Sequence, residues 1–157
     1  MTTTTTTGDR AVDPIPLHEM LALDYTFATD GSPIAEVRMP VRPEALGFTG
    51  NLHGGAIATM VDLACALAAA QSTSFDPYQE SLVTADMHIR YLGRARTDSV
   101  IARAEVVRAG RQLIVIGCKV LDDDDHLIAS ADFSMMIVPL RQPLSAEHES
   151  EPGRPEL

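Results

Sequence analysis

Apolar residues recur at helical spacing (Ile57, Met60, Val61, Ala64, Leu67, Ala68) in a segment that opens with Gly54-Gly55. Between Gly54 and Ala70 the only polar side chains are Thr59 and Asp62, so the pattern predicts a long helix that is apolar on most sides and therefore buried. Upstream, Pro14 to Leu23 reads as a short helix. Tyr25 to Thr29 reads as a strand, and Asp30-Gly31-Ser32-Pro33 as a turn. Ile34 to Val41 alternates, with Ala35, Val37, Met39 and Val41 on one face and Ile34, Glu36 and Arg38 on the other. Arg42 to Leu52 is a Pro- and Gly-bearing loop into the helix, and Gln71 to Gln79 a loop out of it.

Strands follow to residue 138. Leu82 to Leu92 sets Val83, Ala85, Met87, Ile89 and Tyr91 against Thr84, Asp86, His88 and Arg90. Ser99 to Arg108 comes next, then a turn at Ala109-Gly110. Leu113 to Leu121 is apolar on both faces, which predicts a central strand covered on both sides. Asp122 to Asp125 reads as a solvated hairpin turn, and Leu127 to Val138 as the last strand. Helix, hairpin, long helix and antiparallel meander make an α+β domain over residues 14–140. Residues 1–13 form a Thr-rich tail and residues 141–157 an acidic Pro/Glu/Ser tail, both predicted to be disordered.

Composition narrows the class. A chain of 157 residues, 45% hydrophobic, can bury one real core. A net charge of −10 argues against nucleic acid as a partner. No run is read as a membrane span or secretory signal, because the apolar helix carries Asp62 and the N-terminus is a Thr run. Cys65 and Cys118 fall in apolar surroundings and read as reduced core residues of a cytoplasmic protein. The charge is uneven: Arg90, Arg94, Arg96, Arg103, Arg108 and Arg111 face only Asp98 and Glu105 in that stretch. Such a basic zone is a candidate phosphate-docking surface or a decorated strand face.

The chemistry concentrates on the long helix. An ionised carboxylate in an apolar helix is costly unless it is used or paired. The first N–H groups of a helix lack internal acceptors and can receive a developing oxyanion. Gly54 and Gly55 let a carbonyl approach them. Gly54 and Asp62 are eight residues apart, about 12 Å along a helix. If both act on one carbonyl, two subunits supply them. No nucleophile elbow, Walker loop, dinucleotide fingerprint or zinc spacing competes with this reading.

Asn51-Leu52-His53-Gly54-Gly55-Ala56-Ile57-Ala58-Thr59-Met60-Val61-Asp62 resembles the His-Gly-Gly…Asp motif of hotdog-fold acyl-CoA thioesterases of the PaaI-like, phenylacetate-pathway group. Thr84 to Leu92 looks like the strand that follows the helix in that group. The resemblance covers about residues 15–140. It implies a hotdog fold, an antiparallel sheet of five to six strands wrapped around one long helix. It implies hydrolysis of an aromatic or medium- to long-chain acyl-CoA, without a cofactor, at a site shared within a homodimer or homotetramer.

The same resemblance assigns the roles. Asp62 is the nucleophile or general base. The Gly54 N–H polarises the thioester carbonyl, with Gly55 beside it. His53 positions that turn or assists the leaving thiolate, and Thr84 holds the attacking water. Arg90, Arg94 and Arg111 are candidates for the CoA phosphates. One position departs from the group. Six residues before the His, where it carries Asn or Gln, this chain has Gly47; either Asn51, two residues before His53, substitutes from a shifted loop as a substrate-binding candidate, or that side chain is missing. Gly47 keeps open a non-catalytic acyl-CoA-binding module on the same fold. A hotdog dehydratase or hydratase is a further alternative, but its Pro-rich or Asp-bearing text around the His is missing between Leu46 and Ile57.

Overall fold

The structure, a computed structural model, describes residues 15–140 apart from positions 75 and 77. Both tails assigned from composition lie outside the described residues. The order is α1 (Pro16–Met20), β1 (Asp24–Phe27), β2 (Ile34–Pro40), a 3-10 turn (Pro43–Ala45), α2 (Gly54–Ser72), β3 (Glu80–Tyr91), β4 (Ser99–Ala109), β5 (Leu113–Asp122) and β6 (Leu127–Pro139). Six strands form one sheet in the order β1-β2-β4-β5-β6-β3, every neighbour antiparallel. This is the hotdog arrangement, with α2 against one face. β3 leaves the helix and becomes the edge strand beyond β6, so one side of its backbone has no neighbour in the sheet.

Small residues on both surfaces bring helix and sheet together. Ala56, Ala64, Ala68 and Ala69 of α2 are buried, as are Ala35, Ala102, Ala104, Ala129 and Ala131 of the sheet. Larger side chains fill the remaining space: Met60 and Val61 from the helix, and Val37, Met39, Ile114, Ile116 and Phe133 from the strands. Cys65 and Cys118 are both free thiols in this core. Hydrogen bonding to Cys118 and burial push the Cys65 thiol up, helped by the charge of Asp62. A thiol so placed stays protonated and inert.

Four expectations are corrected. The long helix is covered on one side only. Ala58, Thr59, Asp62, Leu63, Ala66 and Leu67 are half-buried and form a stripe facing away from the sheet. The apolar pattern shows which residues avoid water, and the fold of this chain covers one side of them. β5 is central, but of its apolar side chains only Ile114, Ile116, Cys118 and Val120 are buried. Leu113 and Val115 remain exposed on the outer face, beside Met136 of β6 and Val83 of β3. Asp122 is not solvated: it is 2% exposed, and its carboxylate accepts the N–H groups of Arg96, Asp124 and His126. Burial pushes its pKa up, but these donors and His126 outweigh it and hold the group below the ordinary 3.8.

β3 also breaks the expected alternation. Its pairing with β6 runs Thr84 to Met135 and then Asp86 to Ser134, so Ala85 is an extra residue, a bulge. Unbroken alternation places Thr84 with His88 and Arg90. The bulge instead puts Leu82 and Thr84 on the same face as Met87, Ile89 and Tyr91, whose partners Phe133, Ala131 and Ala129 are buried against the helix.

Candidate functional site

The start of α2 is built by its own sequence. His53 is the N-cap, in extended backbone, and its ring Nδ1 accepts the Gly55 N–H at 2.9 Å. A backbone N–H can only donate, so Nδ1 carries no proton and the neutral ring holds its proton on Nε2. Gly55 makes this possible, since a Cβ there would stand 3.0 Å from Nδ1. The His53 carbonyl accepts from Ala56 and Ile57, and the His53 N–H donates to Ala45. Among the described residues, the Gly54 N–H has no acceptor. It points out of the positive end of the helix as a free donor.

Tyr91, at the end of β3, closes the other side. Its hydroxyl donates to the Gly54 carbonyl at 3.1 Å, and a Cβ on Gly54 would meet its ring and oxygen at 3.3 Å. Sequence reading did not single out Tyr91. A separation of 37 along the chain from Gly54 carries no signal that the two meet.

Asp62 stands two turns along, on the uncovered stripe. Thr84 donates its hydroxyl to Asp62 Oδ1 at 2.7 Å, a short charge-assisted bond. The bulge therefore delivers Thr84 to the carboxylate itself. Its oxygen lone pairs remain available to a water, the role the resemblance implies.

The structure brings Asp62 with Thr84, and His53 with Gly54 and Gly55, as two clusters on one helix. The other candidates separate. The Asn51 side chain donates to Thr49 at 2.9 Å and accepts from Arg94 Nε, which sets Arg94 at the helix N-terminal end. Gly47 lies beside the His53 ring, where its Cβ would be 3.5 Å from Cδ2. Arg90 faces the outer side of β3 and pairs with Asp132 at 2.9 Å. That hydrogen bond and the Arg90 charge hold the Asp132 carboxyl below 3.8. Arg111 sits at the opposite end of the molecule, by Ser72 and Thr73 at the helix C-terminus. It lines a groove of about 790 Å³ with Arg108, Gln112 and Leu113. Some 28 Å of helix separates it from Gly54 of the same chain, at 19 residues and ~1.5 Å each.

Residues 49–129, just over half of the chain, match the thioesterase superfamily. A Halobacterium salinarum protein named as an inferred esterase is 32% identical over 117 residues, covering 73% of this chain and 75% of its own. A Bacillus halodurans protein solved with CoA is 26% identical with a TM-score of 0.68, covering 80% of this chain and 77% of that one. The Escherichia coli PaaI protein of the phenylacetic acid degradation operon, 19% identical at a TM-score of 0.68, covers 79% and 85% and shares the fold.

Proposed function

From the premise that this chain belongs to the thioesterase superfamily, and is a thioester hydrolase of PaaI-type hotdog architecture, we propose that it hydrolyses acyl-CoA at a site shared by two copies. The observation that carries the reading is Asp62. It is a carboxylate on the uncovered stripe of an otherwise apolar helix, gripped by Thr84 at 2.7 Å. The CoA found in the Bacillus halodurans neighbour supports CoA as the handle of the substrate.

Chemically, a thioester needs little help. Its carbonyl oxygen docks on the Gly54 N–H, which stabilises the oxyanion as it forms. Asp62 either takes the proton of a water held near Thr84 or adds to the carbonyl itself. Collapse of the tetrahedral adduct breaks the C–S bond. The departing CoA thiolate hydrogen-bonds to the His53 Nε2–H at the same helix end and takes up the proton that Asp62 drew from the water; where Asp62 itself adds, the acyl-aspartyl anhydride is then hydrolysed by a water whose proton goes to the thiolate. Cytoplasm, where CoA esters and reduced thiols coexist, fits this chemistry.

The free edge of β3 supplies the second copy. An antiparallel ladder between two β3 strands can bring Tyr91 of one copy alongside Thr84 of the other. Gly54 of the first copy then faces the partner's Asp62, which solves the 12 Å separation within one chain, estimated at ~1.5 Å per residue. The uncovered helix stripes meet across the same axis.

The experiment is thiol release from short, long and aromatic acyl-CoAs by wild-type protein and Asp62→Asn. Loss of release in a folded, assembled variant supports the reading and names the acyl class. CoA ester binding without release, across the whole panel, replaces it with the non-catalytic binding module that Gly47 keeps open. Sharing is read by mixing Asp62→Asn with a Gly54 variant. Activity that returns on mixing requires a site built from two chains.

A further inference from the structure

One peptide unit at the start of α2 is bonded at both ends. Its carbonyl, that of Gly54, accepts the Tyr91 hydroxyl at 3.1 Å. Its N–H, that of Gly55, donates to His53 Nδ1 at 2.9 Å. Tyr91, the peptide and His53 therefore form one chain of hydrogen bonds running in a single direction. Bonds in such a chain polarise one another, because drawing density onto the carbonyl makes the N–H of the same amide a better donor.

We propose that Tyr91 is a positioning residue for the thioesterase site, holding His53 with its proton on Nε2 and fixing the first turn of α2 so that the Gly54 N–H stays free. This rests on the reading of that N–H as the oxyanion donor. Three observations converge on it. The ring of Tyr91 stands close against Gly54, 3.3 Å from where a Cβ would lie, so it braces the turn sterically as well as by its hydroxyl. Gly55 lacks the Cβ that would push the imidazole off its cap. Gly47 puts no side chain at the Cδ2 edge of the ring, next to Nε2, where a Cβ would stand 3.5 Å from Cδ2. Tyr91 also lies on the edge strand of the proposed shared site. Assembly of two copies and alignment of the donor are then linked through one side chain.

The test uses Tyr91→Phe, which keeps the ring and removes the hydroxyl, and Tyr91→Leu, which removes both. For Tyr91→Phe, kcat falls about threefold to tenfold, the worth of one neutral hydrogen bond, with KM unchanged. The ¹⁵N shifts of the His53 ring move from the Nε2–H pattern toward a mixture of tautomers, and Gly55 amide exchange accelerates. Tyr91→Leu deepens all three effects. Unchanged ring shifts and exchange in Tyr91→Phe overturn the proposal. So does a rise in KM alone, which makes Tyr91 a substrate contact. The ring shifts and amide exchange need no turnover. If the wild-type protein releases no thiol, the hydrolase reading fails by itself and the hydrogen-bond chain is still decided.

Discussion

Replacing Gly54 with alanine should separate stability from activity. Gly54 has no positive φ, so alanine meets no backbone strain there. Alanine restricts the unfolded chain more than glycine does, which is worth about 0.4–1 kcal/mol in favour of the fold. Against this, the new Cβ would stand 3.3 Å from the Tyr91 ring and oxygen, closer than ordinary contact. Tyr91 must yield by a few tenths of an ångström, which weakens its bond to the Gly54 carbonyl. Losing that bond outright costs about 0.5–1.5 kcal/mol, and the lower end applies because Tyr91 is 55% exposed. The two effects nearly cancel. At about 2–4 °C per kcal/mol, the melting temperature stays within about 3 °C of wild type.

Activity should not cancel in the same way. The methyl group crowds the approach to the free N–H and displaces the residue that braces it. Oxyanion donors lose effect steeply with small misplacement, so kcat falls about tenfold to a hundredfold. Calorimetry and thiol release on the same preparation read both quantities. Activity within threefold of wild type at equal stability would refute the use of this N–H. A variant that melts more than about 8 °C lower would refute the packing argument instead.

Other outcomes follow from the same geometry. Gly47→Gln should fold with little change in melting temperature, since its Cβ meets nothing closer than 3.5 Å and Gly47 has no positive φ. If the amide common to the group assists the reaction, kcat rises; an unchanged kcat shows that the chain works without it. Thr84→Val removes the hydroxyl that holds Asp62 and should lower kcat about tenfold, with Thr84→Ser retaining most of the rate. Acid should weaken the fold through Asp122, whose carboxyl lies below 3.8 in the folded protein. The stability it contributes is present above that ordinary value and is lost as pH falls through the folded one. Denaturant midpoints of wild type should drop below about pH 4, whereas Asp122→Asn starts lower at neutral pH and declines less steeply. Asp123, held down by Arg38 and Ser99, and Asp132 lose stability over the same range, so the slope is reduced and not abolished.

Much of this molecule is readable from the chain. The His-Gly-Gly text marks the start of α2, because only a capped, glycine-bearing turn ends an extended loop there. Period-two alternation located the strands to within a few residues. What was hidden depends on partners far along the chain. Alternation is blind to a bulge, so it assigns Thr84 to the face opposite the one its pairing with Met135 gives it. Arg90 reads as one of a basic stretch because its counterion is 42 residues away. Asp122 is one of four identical residues, and only the backbone donors around it distinguish it from a solvated one. For β5 the pattern showed which residues prefer to be covered but not whether one chain covers them. Composition marks Arg111 as basic but does not say which end of α2 it reaches, and within one chain that is the C-terminal end.

The bulge in β3 carries a consequence for insertions and deletions. Ala85 is the one residue of that stretch without a partner on β6. Deleting it leaves Thr84 opposite Met135 and still facing Asp62, with every pairing from Glu80 to Thr84 intact. A chain one residue shorter here builds the same contact. Between Thr84 and Tyr91 a spacing of six is therefore equivalent to the spacing of seven found in this sequence. Counting residues from the helix would misplace the hydroxyl in such a chain, and counting from its cross-strand partner would find it.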